Sequence, residues 1–194
     1  MEKIITIVGT TASGKSDLGI YLAKKFDGEI VSCDSRQVYK GLDLGTGKVT
    51  AEEQAEVRHH LIDIIEPNEK FSLAEFQKLA YSAINDILAR NKLPFLVGGT
   101  GLYSRAVTQG YNLSEEEDDP LLREKINAMS AEEIVAALKN AGEVVPDGLS
   151  PRHLSRRLEK AMKGVEASEN CQIYDYLQLI PVFPRDILYN RIEK

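Results

Sequence analysis

Ile4-Ile5-Thr6-Ile7-Val8-Gly9-Thr10-Thr11-Ala12-Ser13-Gly14-Lys15-Ser16 is the stretch whose reading decides the fold. A short apolar, β-branched run leads into Gly-x4-Gly-Lys-Ser, and a helical pattern follows. Strand, glycine-rich loop and helix in that order form the setting in which this motif binds phosphates. The glycines let the backbone wrap closely, so the N–H groups from Gly9 through Gly14 and a helix N-terminus converge on an anion. Lys15 adds a point charge for the terminal phosphate, and the Ser16 hydroxyl is placed to coordinate Mg²⁺. Alone, the loop predicts a nucleotide site such as one for ATP. It does not say which phosphates are held or what is done to them.

Outward from the loop, Leu18, Ile20, Leu22, Ala23 and Phe26 recur at helical spacing as far as Asp27-Gly28. Residues 29–33 predict a second strand, and Asp34-Ser35-Arg36-Gln37 leaves its carboxyl end. Ligands of open parallel sheets lie beyond the carboxyl ends of the strands, which brings Asp34 toward the loop. Residues 38–50 read as an irregular loop over that crevice, with Thr46 and Lys48 as polar groups available there. A short helix over 51–57 and a strand over 59–65 follow. Adjacent histidines point to opposite faces of a strand, so His59 and His60 are not expected to share a metal. Ser72 caps a long helix with Leu73, Phe76, Leu79, Ala80, Ala83, Ile84, Ile87 and Leu88 on one face. Another strand, 94–97, ends in Gly98-Gly99-Thr100-Gly101, a second candidate anion contact, although such a run also makes ordinary turns.

Residues 114–120 are an acidic, solvated break, read as a boundary rather than a metal site. Short helices are predicted over 121–128, 131–140 and 151–163, the last carrying Arg152, Arg156, Arg157, Lys160 and Lys163 against the single acid Glu159. A strand pattern returns over 176–183, and Pro184 opens a helix with Ile187, Leu188 and Ile192 as its apolar face. The expected organisation is a P-loop α/β core over 1–113, a helical insertion over 114–170 and a return to the core over 171–194. The fold class is α/β, a P-loop NTPase-like parallel sheet with helices on both faces.

The 194 residues, 43% of them hydrophobic, suffice for such a core with a modest appendage. The net charge of −6 excludes a global basic field, so any RNA site must be a local patch. Cys33 and Cys171 lie far apart in sequence and in no ligand spacing, which predicts a reducing, cytoplasmic setting without disulfides. The sequence opens directly into a strand with no leader pattern, and no apolar run reaches membrane-spanning length.

From the chemistry alone two enzymes compete. One is a nucleotide or metabolite kinase in which Asp34 orients the acceptor and the Arg152, Arg156, Arg157 helix closes on the transferring phosphate. The other is a transferase whose leaving group is a diphosphate held by the loop, with Asp34 as general base. Both place Mg²⁺ on Ser16.

Four blocks narrow the choice. Residues 9–16, 32–46, 59–63 and 97–103, in this order and spacing, resemble the tRNA dimethylallyltransferases (isopentenyl-tRNA transferases). The resemblance is dense to about Tyr103 and continues more loosely in 119–123, 152–163 and 184–192. It implies transfer of a dimethylallyl group from dimethylallyl diphosphate to N6 of an adenosine beside the tRNA anticodon. By motif, Asp34 would take the N6 proton, Ser35, Arg36 and Gln37 would help hold the adenine, and Thr100, Arg123, Arg152 and Arg156 would contact RNA or diphosphate. Lys15, the loop amides and Ser16 with Mg²⁺ would stabilise the departing diphosphate in a monomeric protein. Family members continue with a long helical segment after the stretch matching 184–194, so a shortened form is expected. Related enzymes that prenylate free adenine nucleotides keep that acceptor open as an alternative, beside the kinase and a non-catalytic phosphate-binding RNA module.

Overall fold

In a computed structural model describing residues 1–113, 119–164 and 170–193, the β-branched opening run forms strand β1, Glu2–Val8. Ile4, Thr6 and Ile7 are buried because β1 is flanked by strands and covered on both faces, which is what a continuous apolar run permits. Helix α1 is Lys15–Lys25, β2 Gly28–Ser32, α2 Ala51–Glu56, β3 His59–His60, α3 Leu73–Ala89, β4 Leu93–Gly98 and α4 Gly101–Thr108. Three helices follow, α5 (Pro120–Asn127), α6 (Ala131–Asn140) and α7 (Pro151–Met162), before β5 (Tyr174–Leu179) and α8 (Arg185–Ile192). The strands make one parallel sheet in the order β3-β2-β4-β1-β5.

Alternation along the strands sorts the core into two layers. Ile4, Val31 and Leu96 pack against Phe76, Ala80, Ile84 and Ile87 of α3 and Tyr103 and Val107 of α4. Their chain neighbours Ile30, Phe95 and Val97, with Ile7, pack against Ile20 and Ala23 of α1. The sheet therefore carries helices on both faces. Fully buried side chains such as Phe76 and Phe95 each contribute about 1.5–3 kcal/mol. Phe76 also stacks on Tyr103 with ring centroids 4.0 Å apart. Helix α3 begins where the sequence places it, with a reciprocal capping box between Ser72 and Glu75. Leu79 departs from the predicted stripe and is 40% exposed.

The chain divides into two compact units, residues 1–113 with 170–194, and residues 114–169. In the second unit each helix has a side-chain N-cap, from Asp119, Ser130 and Ser150, with proline at the first position of α5 and α7. Ile126, Ile134, Leu138, Leu154 and Leu158 form its core. The acidic residues 114–118 and the terminal Lys194 lie outside the described residues. No helix among the described residues is long and apolar enough to cross a membrane.

Two strand predictions are corrected. The run 59–65 pairs with β2 only through His59 and His60, because Leu61 (φ 62°) and Asp63 (φ 54°) adopt left-handed backbone that a strand cannot continue through; Ile65 makes an isolated bridge with Tyr39 instead. The last strand is Tyr174–Leu179 rather than 176–183, since Pro181 has no N–H to add to the ladder. Helix α8 buries none of its residues, so Ile187 and Ile192 do not form a covered face.

Candidate active site

The carboxyl ends of β2, β4 and β1 are neighbours in the sheet, and the loops leaving them build the site. After β1 the chain turns through Ala12 (φ 62°) and Gly14 (φ 69°), the latter capping α1 in a left-handed conformation suited to glycine. The Ser13 hydroxyl donates to the Thr10 carbonyl at 2.8 Å, and Lys15 Nζ donates to the same oxygen. Ser16 follows in the first turn of α1, half-buried. Burial lowers the Lys15 pKa below its ordinary value, and the Asp34 carboxylate opposes that shift.

Asp34 leaves the end of β2. Its Oδ1 accepts the Arg36 N–H at 2.9 Å, a local turn that fixes the carboxylate. Its Oδ2 faces Gly99 after β4. A side-chain carbon added at Gly99 would lie 3.9 Å from that oxygen, 3.8 Å from the Gly9 carbonyl and 4.0 Å from Lys15 Cε. Three loops thus meet around one glycine. Thr100 completes the join, because its Oγ1 accepts the Ser35 N–H at 3.0 Å and lies 3.2 Å from the Ser35 hydroxyl. Beneath them Gly98 is packed hard on Cys33, and burial pushes the Cys33 thiol up to about 12. A thiol so protected stays protonated and is packing, not a nucleophile.

The sequence-predicted residues divide among these places. Gly9 to Ser16, Asp34, Ser35 and Thr100 come together in the first unit, with Arg36 exposed beside them. Gln37 is turned inward: it accepts from the Ser32 hydroxyl at 3.3 Å and donates to the Gly47 carbonyl at 3.1 Å, so its amide pins the loop over 38–50. Lys48 likewise is not available to the crevice. Its buried ammonium donates to the Tyr39 carbonyl at 2.9 Å and pairs with Asp43 and Asp63. Asp63 reaches it from an exposed position, in the segment predicted to be strand. The histidines are occupied by the fold, His60 Nε2 against Glu29 at 2.8 Å and His59 Nδ1 against the Val57 carbonyl at 2.7 Å.

Arg123, Arg152 and Arg156 come together in the second unit around a hollow between α5 and α7. Arg157, on the same helix, instead pairs with Glu143 at 2.9 Å. Sequence reasoning missed Arg191 of α8, which donates to the Ala12 carbonyl at 3.1 Å and lies over the Phe183 ring at 4.5 Å. Its signal was present in the block 184–192, but that block was read for its apolar face.

No group of three or more His, Cys, Asp or Glu among the described residues could hold a metal on its own. The Ser16 hydroxyl, at the start of α1 after a glycine-rich loop, is a donor that would suit Mg²⁺. That ion keeps most of its waters and shares ligands with substrate phosphates.

A model of the IPP transferase family matches residues 37–194. The chain belongs to this family. It is 44% identical to a tRNA dimethylallyltransferase of Oceanobacillus iheyensis over all of its own length and 66% of that protein's. It is 45% identical to one of Roseiflexus over all of its own length and 67% of the relative's. Among solved structures, the full-length tRNA isopentenylpyrophosphate transferase of Bacillus halodurans is 40% identical with a TM-score of 0.67, covering 99% of this chain and 64% of that one. A eukaryotic dimethylallyltransferase, crystallised acting on tRNA, is 26% identical with a TM-score of 0.80, covering 100% of this chain and 51% of that one. The chain thus spans about two thirds of the length of its bacterial relatives. The family-model match starts after residues 9–16, which the alignments with these relatives include.

Proposed function

We propose that this family member transfers a dimethylallyl group from dimethylallyl diphosphate to N6 of an adenosine beside the anticodon of a tRNA. The observation that carries the reading is the Asp34 carboxylate fixed beside Lys15 at the mouth of a phosphate-binding loop. In the reaction the N6 lone pair attacks the first carbon of the dimethylallyl group, and the bond from that carbon to the diphosphate oxygen breaks. The diphosphate keeps the electron pair, and the N6 proton passes to Asp34. An exocyclic amine is a weak nucleophile, so a carboxylate at its proton helps as charge develops on nitrogen. The loop amides and Lys15 stand where the leaving group gathers negative charge. Arg191 adds a cation against the loop. Ser16 and the diphosphate oxygens would hold Mg²⁺, which supplies further charge neutralisation when bound.

The acceptor base must leave its stack to enter such a crevice. Ser35, Arg36 and Thr100 border the place where it would lie, and Gln37 acts by pinning the neighbouring loop. Arg123, Arg152 and Arg156 supply the local basic patch that an acidic chain needs for RNA. The test is label transfer from radioactive dimethylallyl diphosphate to unmodified tRNA or AMP, with ATP consumption followed alongside. Label in tRNA, abolished in Asp34→Asn, is the expected result. Label in AMP alone would make this a free-nucleotide prenyltransferase. Phosphoryl transfer from ATP without prenyl transfer would overturn the proposal in favour of a kinase.

A further inference from the structure

Asp34, Ser35, Arg36 and Gln37 run directly into residues 38–40, and that continuation is gripped from two directions. On one side it meets the backbone of 63–65. The Asp63 N–H donates to the Gln37 carbonyl at 3.1 Å, the Ile64 N–H to the Val38 carbonyl at 2.8 Å, and the Lys40 N–H to the Ile65 carbonyl at 2.9 Å. On the other side stands Lys48, at the far end of the same loop. A lysine ordinarily keeps its ammonium in water. The side chain of Lys48 is instead only 4% exposed. Its ammonium donates to the Tyr39 carbonyl at 2.9 Å, to Asp43 Oδ1 at 2.7 Å and to Asp63 Oδ1. An ammonium has three protons to donate, and here they go to three separate stretches of chain.

The clasp is reciprocal. Gln37 reaches across to the carbonyl of Gly47, the residue before Lys48, while Lys48 reaches back to the carbonyl of Tyr39. Asp63 joins both halves, with its N–H on Gln37 and its carboxylate on Lys48. It does so in a left-handed conformation (φ 54°) that is uncommon for a residue other than glycine. Lys40 makes the instructive contrast. It pairs with Glu66 at 2.7 Å, but both side chains are about half exposed, and such a solvated pair contributes little. The diphosphate loop closes on contacts of its own, since the Ser13 hydroxyl and the Lys15 ammonium both donate to the Thr10 carbonyl.

We infer that Lys48 is a positioning residue for the acceptor: its buried ammonium clamps residues 37–39 between the 38–50 loop and Asp63, and so sets the wall beside Asp34 against which the acceptor base lies. The inference rests on the proposed prenyl transfer for the identity of that acceptor. It divides the site into two independently held halves, an acceptor wall that depends on Lys48 and a leaving-group loop that does not.

That division gives the test. Prenyl transfer is measured with unmodified tRNA and dimethylallyl diphosphate varied in turn, for wild type, Lys48→Met, Asp63→Asn and Lys40→Met. Thermal unfolding and amide exchange of peptides covering 34–40 and 4–16 are followed on the same proteins. Lys48→Met removes a positive charge and Asp63→Asn a negative one, so a general field effect on RNA would move them in opposite directions. Positioning predicts one direction for both: KM for tRNA raised, by about tenfold in Lys48→Met, with KM for dimethylallyl diphosphate unchanged. Exchange over 34–40 is expected to quicken in both, while 4–16 stays as in wild type. Lys40→Met loses the same charge from an exposed pair and is expected to match wild type in both KM values. A merely structural role would lower the unfolding midpoint and kcat through loss of folded protein, with both KM values unchanged. That pattern would overturn the inference. So would opposite shifts in Lys48→Met and Asp63→Asn, or an effect of Lys40→Met as large as that of Lys48→Met. If Lys48→Met does not fold, Asp63→Asn, altered at an exposed side chain, decides on the same readouts. A wild-type protein that transfers nothing to tRNA would refute the enzymatic proposal, and the exchange comparison then decides the clamp by itself.

Discussion

The Thr100 hydroxyl accepts the Ser35 N–H at 3.0 Å, tying the loop after β4 to the loop after β2 across 65 residues of sequence. That bond holds the backbone following Asp34 and so sets where the carboxylate points. Replacing Thr100 with valine keeps its volume and removes the acceptor. The expected cost is about 1 kcal/mol of stability. A larger loss, about ten- to a hundredfold, is expected in prenyl transfer, because the base is misplaced. Serine at this position is expected to restore most of the rate, which steady-state kinetics on the three proteins would check.

Asp34→Asn separates the two uses of that side chain. The amide oxygen can still accept the Arg36 N–H, so the unfolding temperature should stay close to wild type. Without a proton acceptor at N6, turnover is expected to fall by about 10²–10⁴. Binding of dimethylallyl diphosphate, measured by calorimetry, should change little. A variant that lost both activity and substrate binding would place Asp34 in the leaving-group site instead.

Acid stability is governed at the other end of β2. The Arg90 guanidinium, with His60, holds the buried Glu29 carboxyl down to about 2 from its ordinary 4.5. A depressed carboxyl stabilises the folded state fully above its unfolded-state pKa and loses that contribution as pH falls through its folded value. Urea midpoints are therefore expected to decline between about pH 4.5 and 2. Glu29→Gln should flatten that decline. Glu29→Ala, which leaves Arg90 and His60 without their partner, should cost about 3–5 kcal/mol at neutral pH.

Gly98 and Gly101, three positions apart, are expected to behave oppositely. A side-chain carbon at Gly98 would lie 2.5 Å from the Cys33 carbonyl carbon and 2.6 Å from its oxygen, which are backbone atoms and cannot yield. Gly98→Ala should cost more than about 3 kcal/mol, by prising β2 from β4. At Gly101, in the first position of α4, an added carbon meets nothing within 4 Å. Gly101→Ala should be neutral or stabilising by about 0.4–1 kcal/mol. Chemical denaturation of both variants tests the pair.

Much of this was legible in the chain because the signals are local. The strand-loop-helix order around Gly9 to Ser16, the capping boxes at Ser72-Glu75 and Ser130-Glu133, and the helical spacing of Leu154 and Leu158 each lie within a few residues. Asp34 could be brought near the loop because both follow strands of one parallel sheet. What sequence could not supply was strand order. Nothing local says that β4 lies between β1 and β2, and that insertion makes Thr100 a neighbour of Ser35. Asp63, in the broken strand, pairs with the buried ammonium of Lys48, fifteen residues away in sequence. Arg191 was hidden for the same reason, since 179 residues separate it from Ala12.

The pairing of β1 with β5 has a consequence for how the chain is made. Glu2 lies opposite Tyr174 and Ile7 opposite Leu179, so one side of β1 has no partner until the residues through Leu179 have been made. At roughly 5–20 residues per second, a nascent chain carries that apolar edge unpaired for on the order of ten to thirty seconds. The helical unit, whose contacts are local, can form during the wait. The Ile4-Ile5-Thr6-Ile7-Val8 segment that announces the fold is thus also the part of the newborn chain most in need of protection from other chains.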